Sequence, residues 1–185
     1  MSLNRRKEKV PMYLGLDLSL TGTGIVVLNQ DNFVLHAETV KNKVTGMERL
    51  LTIRGRVYDI LHKFPPKVIC VEGYAMGSRS GQAFSIGELG GVIKLLLFEE
   101  GYKPYLVPPT RLKKFIVGGG KAEKDMIMMK VFQRWGWEAA DNNQSDAYGA
   151  AKLAQIIHTQ NFEGLLKAQV EVINDILNPP KKKGK

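Results

Sequence analysis

The apolar residues of this chain change their spacing after the first forty residues, and that change restricts the fold. Residues 12–19, 25–28 and 33–40 are strand-like apolar runs separated by short polar turns. This pattern predicts an antiparallel meander of three strands. Residues 45–63 instead carry apolar side chains at approximately helical spacing and are followed by a proline pair. A helix is therefore expected to leave the meander.

Two further apolar runs follow that helix, at residues 68–71 and 105–107, with a helical segment at 81–100 between them. Strands that alternate with helices in this way pair in parallel. The fold class predicted is α/β, with a mixed five-stranded sheet that contains the meander and is flanked by helices. Further helices are expected at residues 111–115, 121–135 and 144–158.

Size and composition are consistent with one folded unit. The chain has 185 residues, of which 44% are hydrophobic, enough for one sizeable core. We expect one folded domain at 12–160 and one amphipathic helix at 161–178. Basic tails are expected at 1–11 and 179–185.

The charge balance suggests an acidic partner. The formal net charge is +9, which favours nucleic acid or an anionic membrane surface. No run of eighteen apolar residues and no signal-peptide pattern is present, so we expect a cytoplasmic protein without a membrane anchor. The single cysteine, Cys70, lies within a strand-like run and is expected to pack in the core.

Three acidic residues occupy unusual positions in this pattern. Asp17 and Glu72 lie within or at the end of apolar strand-like runs, and Asp146 lies near the start of the last long helix. Burying a carboxylate is costly unless it is paired or binds a metal. Three carboxylates that meet repel one another unless a cation neutralises them, which favours Mg²⁺ or Mn²⁺. Taken singly, Asp17 could cap a turn and Asp146 could be an ordinary acid of a first helical turn.

Five motifs in order resemble those of the RuvC family of Holliday-junction resolvases, which has an RNase H-like fold. They lie at residues 15–24, 71–72, 112–118, 121–124 and 143–147. The resemblance implies that Asp17, Glu72 and Asp146 are catalytic acids that hold two Mg²⁺ ions, with Mn²⁺ as a substitute. It also implies that Lys113 and Lys124 contact DNA near the scissile phosphate, and that the protein is a homodimer.

The DNA-binding surface is expected between the second and third acids, where basic residues are concentrated. Together with one aromatic residue, the candidates are Tyr74, Arg79, Arg111, Lys113, Lys114, Lys121 and Lys124. The resemblance assigns much of the dimer interface to the helix at 81–100. The apolar side chains of that helix are equally consistent with a place in the core.

The chain departs from the family pattern at two places. The family usually has a fourth ligand, aspartate or histidine, three residues before the last acid, and here Asn143 stands there as the candidate, with Asp141 as the alternative. The aromatic wedge of cellular relatives is replaced by Ala75-Met76, although Tyr74 or Phe84 could serve. The stretch around Asn143 resembles phage-type relatives, and the missing wedge favours a phage-borne resolvase with less sequence preference.

The function expected is therefore a metal-dependent endodeoxyribonuclease that resolves four-way DNA junctions by paired symmetric nicks. Two alternatives stay open. One is a broader nuclease for branched DNA, flaps or RNA–DNA hybrids, and the other is a non-catalytic junction-binding protein. A nucleotide cofactor is not expected, because a chain of 185 residues lacks the second lobe of the ATPases that share this type of fold.

Overall fold

The computed structural model describes residues 10–73, 82–119 and 124–179. The strands are β1 (Met12–Asp17), β2 (Thr23–Asn29), β3 (Val34–Val40), β4 (Val68–Glu72) and β5 (Tyr105–Val107). The helices are α1 (Gly46–Lys63), α2 (Gln82–Glu99), α3 (Pro109–Val117), α4 (Lys124–Trp135), α5 (Asn142–Thr159) and α6 (Lys167–Leu177).

The five strands form one sheet in the order β3-β2-β1-β4-β5. β1 pairs antiparallel with β2 and parallel with β4, and β5 extends the parallel part. The antiparallel meander and the mixed α/β sheet predicted from the sequence are confirmed. β1 is the central strand, so its carboxyl end lies in the middle of one sheet edge.

Each face of the sheet buries its own set of side chains. Leu14 and Leu16 of β1 pack on one face with α1 and α2, whereas Tyr13 points to the other face. α5 covers that other face and crosses β1, β2 and β4, and α3, α4 and α6 pack in the same core cluster beside α5. Because side chains alternate along a strand, Gly15 and Asp17 share the α5 face with Tyr13.

Two glycines allow α5 to lie directly on the sheet. A Cβ atom on Gly15 would overlap the backbone of Ala147 and Ala151, and one on Gly24 would overlap the carbonyl oxygen of Asn143. Only a residue without a side chain permits this approach. The close contact places the first turns of α5 beside the end of β1.

Some element boundaries differ from the sequence prediction. α3 is longer than expected because Pro109 begins it with a preset backbone angle, and Gly118 ends it in the left-handed conformation. α6 begins only at Lys167, since Gln160 and Gly164 adopt positive φ angles in the segment that precedes it. The predicted tails lie largely outside the described residues, and the proposed domain boundaries stay predictions.

Two smaller expectations can be compared with the structure. Cys70 is fully buried in the core, as expected. Within the ranges that the structure describes, no helix is long and apolar enough to cross a membrane.

Candidate metal centre and active site

Asp17 and Glu72 are direct partners across two parallel strands. Asp17 is the last residue of β1, Glu72 is the last residue of β4, and the register places the two side by side. Residues opposite each other in a sheet present their side chains to the same face. Both carboxyl groups therefore project towards α5 at the carboxyl edge of the sheet.

Asp146 of α5 completes the cluster. It lies in the second turn of α5, one turn after Asn143, where the helix crosses the sheet edge. One carboxylate oxygen from each of Asp17, Glu72 and Asp146 lies within 4.8 Å of the other two. The structure thus brings together the three acids that the sequence singles out.

The electrostatics of the cluster reflect its crowding. Burial raises the pKa of Asp17, and the negative charge of Asp146 raises it further. Burial also raises the pKa of Glu72, with additional contributions from Asp17 and Asp146. The two carboxyl groups share a hydrogen bond, as expected where one of them retains a proton. Burial and mutual repulsion therefore disfavour three full negative charges at the site unless a counter-cation is present.

The donor set fits a divalent cation. Hard cations such as Mg²⁺ and Mn²⁺ prefer carboxylate oxygens, and the three acids supply oxygens at a spacing that a shared ion could bridge. A cation would replace the shared proton and let all three acids ionise. The cluster is therefore chemically suited to bind metal.

Asn143 lies next to this cluster. Its side-chain amide is 3.2 Å from Asp17 Oδ2 and 3.2 Å from the carbonyl oxygen of Gly22, so its nitrogen donates to two acceptors. These contacts hold the Asp17 carboxylate against the turn after β1. The role of Asn143 as a fourth metal ligand stays a prediction.

Asp141 is occupied elsewhere. As the N-cap of α5 it accepts a hydrogen bond from the backbone nitrogen of Gln144 at 3.0 Å and one from Thr39 Oγ1 at 2.8 Å. Its other oxygen lies 3.6 Å from Lys41 Nζ. These contacts make Asp141 a structural link between α5 and β3, and it is not part of the three-acid cluster.

The basic residues of α3 divide between two sides of that helix. Lys113 is close enough to the cluster for its positive charge to lower the pKa of both Asp17 and Glu72, although burial outweighs it in each case. Lys114 instead binds Glu171 of α6 at 2.8 Å, and Arg111 forms an ion pair with Asp175 of α6. Only Lys113 of these three therefore faces the acids.

The side chains of the remaining DNA-binding candidates lie outside the part of the chain that the structure describes. Tyr74, Arg79 and Lys121 lie outside the described residues, as do Ala75-Met76 of the expected wedge position. Lys124 begins α4, but its side chain is also outside the description. Phe84, the other wedge candidate, lies in the first turn of α2 with 83% of its surface exposed.

Comparison with known protein families agrees with this architecture. The family model described as "Crossover junction endodeoxyribonuclease RuvC" matches residues 13–158, which include β1 to α5 and all three acids. The chain belongs to the RuvC family. The resemblance read from the sequence motifs is confirmed, and the RNase H-like fold expected from it agrees with the observed sheet.

Individual RuvC proteins match over most of their length. The crossover junction endodeoxyribonuclease RuvC of Thermus thermophilus is 29% identical over 125 residues, covering 63% of this chain and 75% of that protein. The protein of the same name from Photorhabdus laumondii is 27% identical over 158 residues, covering 83% and 90%. The structure of Thermus thermophilus RuvC in complex with a Holliday junction substrate aligns with a TM-score of 0.64 at 26% identity, covering 76% of this chain and 90% of that chain.

Sequence reasoning missed one set of contacts at this side of the RuvC fold. Glu171 and Asp175 of α6 pair with basic residues of α3, but residues 161–178 were interpreted only as an apolar amphipathic helix. A signal was present, because acids four residues apart share one helical face, as do Arg111 and Lys114 three apart. The spacing alone does not say which two helices meet.

Proposed function

We propose that this RuvC-family chain is a metal-dependent endodeoxyribonuclease that resolves four-way DNA junctions by paired symmetric nicks. The observation that carries the proposal is the convergence of Asp17, Glu72 and Asp146 within 4.8 Å beside the positive charge of Lys113. An acidic cluster alone would suit many metal sites. A phosphodiester is negatively charged and is repelled by the three acids. The positive charge of a lysine at the edge of the cluster offsets this repulsion and attracts the phosphate.

Each residue has a distinct part in this proposal. Asp17, Glu72 and Asp146 would hold two Mg²⁺ ions, for which Mn²⁺ would substitute. When bound, such a pair of ions activates water and stabilises the leaving oxygen of a phosphodiester. Lys113 would hold the scissile phosphate at the cluster. Asn143 would keep Asp17 in place through its amide, and we retain it as the candidate for the fourth ligand.

The proposed substrate rests on family membership. The Thermus thermophilus relative is described in complex with a Holliday junction substrate. Two symmetric cuts need two active sites related by a two-fold axis, so we propose that the chain acts as a homodimer. The bacteriophage origin and the cytoplasmic location expected from the sequence are also proposals.

The outer face of α2 and the adjoining edge strand are the proposed dimer interface. Leu95, Phe98 and Leu106 are large apolar residues with 57%, 78% and 52% of their surfaces exposed. The opposite face of α2 is in the core, where Leu89 and Ile93 are fully buried. The core interpretation therefore fits the inner face of α2, and we propose the interface only for its outer face. Exposed apolar residues of this size, grouped at one place, favour contact with another protein surface.

Substrate choice tests the proposal. Labelled junction, fork, flap and RNA–DNA hybrid substrates would be incubated with the protein in Mg²⁺, and the nick positions would be mapped. Paired nicks at symmetric positions in the junction, with little cleavage of the others, would support junction resolution. Comparable cleavage of flaps or hybrids would support the broader nuclease instead.

Asn143 provides the test of the non-catalytic alternative. A junction-binding protein that lacks activity would bind the junction tightly and leave it intact in both Mg²⁺ and Mn²⁺. In that case Asn143→Asp, which restores a carboxylate of the kind usual in the family, would confer cleavage. Under our proposal the wild-type protein cleaves, and Asn143→Asp chiefly lowers the Mg²⁺ concentration needed for half-maximal cleavage.

A further inference from the structure

α6 lies outside the region that matches the RuvC family model, which ends at residue 158. It is nevertheless firmly packed. Val172 and Ile173 are buried in the core cluster on the α5 face. Gln169, only 2% exposed, donates a hydrogen bond to the carbonyl oxygen of Phe115 in α3 at 2.8 Å. These contacts fix the orientation of α6 against α3.

That orientation turns an acidic face of α6 towards α3. Glu171 and Asp175 are one helical turn apart, and they bind Lys114 and Arg111 respectively. All four side chains are partly exposed, between 35% and 51%. Two of the basic residues that the sequence suggests for DNA binding are thus neutralised at the surface by acids of the same chain.

Lys113 lies on a different side of α3 and escapes this neutralisation. Consecutive helical residues point about 100° apart, so Lys113 is separated from Lys114 by that angle and lies nearly opposite Arg111. Its charge acts on Asp17 and Glu72. α3 therefore has two basic sides. One is directed to the metal centre, and the charge of the other is cancelled by the acids of α6.

We propose that α6 is an electrostatic boundary of the DNA-binding surface. Glu171 and Asp175 cancel the charge on the outer side of α3, so that phosphates are attracted to the side of Lys113 and not along α6. DNA affinity depends on the number of basic groups that meet phosphates. Cancelling two charges therefore lowers the affinity and confines DNA binding to the side of Lys113. Exposed ion pairs contribute little to folding, so the acids affect binding far more than stability. This inference rests on the proposed DNA-binding function.

The test removes the acids and measures binding to a labelled junction in EDTA, where no cleavage occurs. The Glu171→Gln/Asp175→Asn variant should bind more tightly than wild type, with a salt dependence steeper by up to about two released counterions. Its advantage over wild type should therefore grow about tenfold between ~200 and ~50 mM salt. Circular dichroism should show the same helix content in both proteins.

A charge-matched control separates local from overall effects. Asp31→Asn/Asp59→Asn removes two acids from the turn after β2 and from α1. It should change junction affinity by less than about twofold. Adding Arg111→Gln/Lys114→Gln to the Glu171→Gln/Asp175→Asn variant should abolish its gain, whereas the same change in wild type should have little effect.

Three outcomes would overturn the inference. They are unchanged affinity in Glu171→Gln/Asp175→Asn, an equal gain in the control, and a large loss when Arg111 and Lys114 are replaced in wild type. The last would mean that both basic residues contact DNA despite their acidic partners. If wild type does not bind the junction at all, the proposed function itself fails, which is distinguishable from each of these results.

Discussion

Gly15 determines how closely α5 approaches the sheet. It lies two residues before Asp17 on the same face of β1, under the backbone of Ala147 and Ala151 of α5. A side chain here would push α5 away from the sheet edge and separate Asp146 from Asp17 and Glu72. The geometry of the site therefore depends on a residue that contributes no functional group.

We predict that Gly15→Ala lowers the free energy of unfolding by about 3 kcal/mol, because the added methyl group overlaps backbone atoms that cannot rotate away. Gly55→Ala is the matched control. Gly55 lies in α1 with open space around it, so the change should raise stability by up to about 1 kcal/mol. Urea unfolding measures both. Equal stability of wild type and Gly15→Ala would contradict the close packing described for α5.

Glu72 makes the stability of the metal-free protein depend on pH. Burial and the neighbouring acids raise its pKa in the folded state, so the folded protein binds a proton that the unfolded chain releases at lower pH. The stability that this bound proton contributes is therefore fully present below the pKa of Glu72 in the unfolded chain. It is lost as the pH rises through the pKa of Glu72 in the folded protein.

We predict that, in EDTA, raising the pH from 5 to 8 lowers the free energy of unfolding of wild type more than that of Glu72→Gln. The difference between the two proteins should be on the order of 1 kcal/mol. Mg²⁺ should restore stability to wild type most at pH 8, where the acids ionise in exchange for the cation. Denaturant unfolding at several pH values provides the measurement, with Glu163→Gln as an exposed control. Parallel pH profiles for wild type and Glu72→Gln would count against the assigned electrostatics.

Among the contacts that hold α6, one is a buried amide, that of Gln169. Gln169 donates to the carbonyl oxygen of Phe115 and accepts hydrogen bonds from the backbone nitrogen of Leu166 and from Arg134. One side chain thus links α3, α4 and the start of α6. Removing it would leave the Phe115 carbonyl buried without this partner.

We predict that Gln169→Ala costs about 2 kcal/mol and loosens α6 selectively, because a buried polar group then loses its hydrogen bond. Hydrogen exchange should accelerate in residues 167–177 more than in α5. Gln133→Ala is the control, because Gln133 is exposed on α4 and accepts a hydrogen bond from Lys130, and this change should alter neither stability nor exchange appreciably. Uniform acceleration across α5 and α6 would show that α6 has no separate stability.

The elements of this fold were more predictable than their contacts. The meander follows from local apolar alternation and turn residues, and the crossover helices follow from helical spacing, so both could be predicted. Asp17 and Glu72 are 55 positions apart in the sequence. The sequence predicts that the ends of their two strands converge, but it does not predict that the two residues are direct partners. The ion pairs between α3 and α6 depend on tertiary packing that no local pattern specifies. Proximity in sequence makes Asp141 an alternative ligand, and only the observed start of α5 at Asn142 reveals it as the N-cap of that helix.

The outer face of α2 is the proposed interface between two copies of the whole molecule. We predict that Phe98→Asp converts a dimer into a monomer, because it places a charge in the centre of an apolar contact. Leu51→Asp is the control, since Leu51 is 66% exposed on α1, on a different helix. Sedimentation velocity distinguishes the states. If Phe98→Asp and wild type sediment alike, this face is not the interface.

We propose that two copies of the three-acid site cut one junction together. Cleavage of a supercoiled plasmid that extrudes a cruciform tests it most directly, because two symmetric nicks linearise the plasmid whereas one nick only relaxes it. With Mg²⁺ the wild-type protein should yield linear plasmid, and Asp17→Asn should yield none. Relaxed circles as the sole wild-type product, or linear product that persists in Asp17→Asn, would contradict the account.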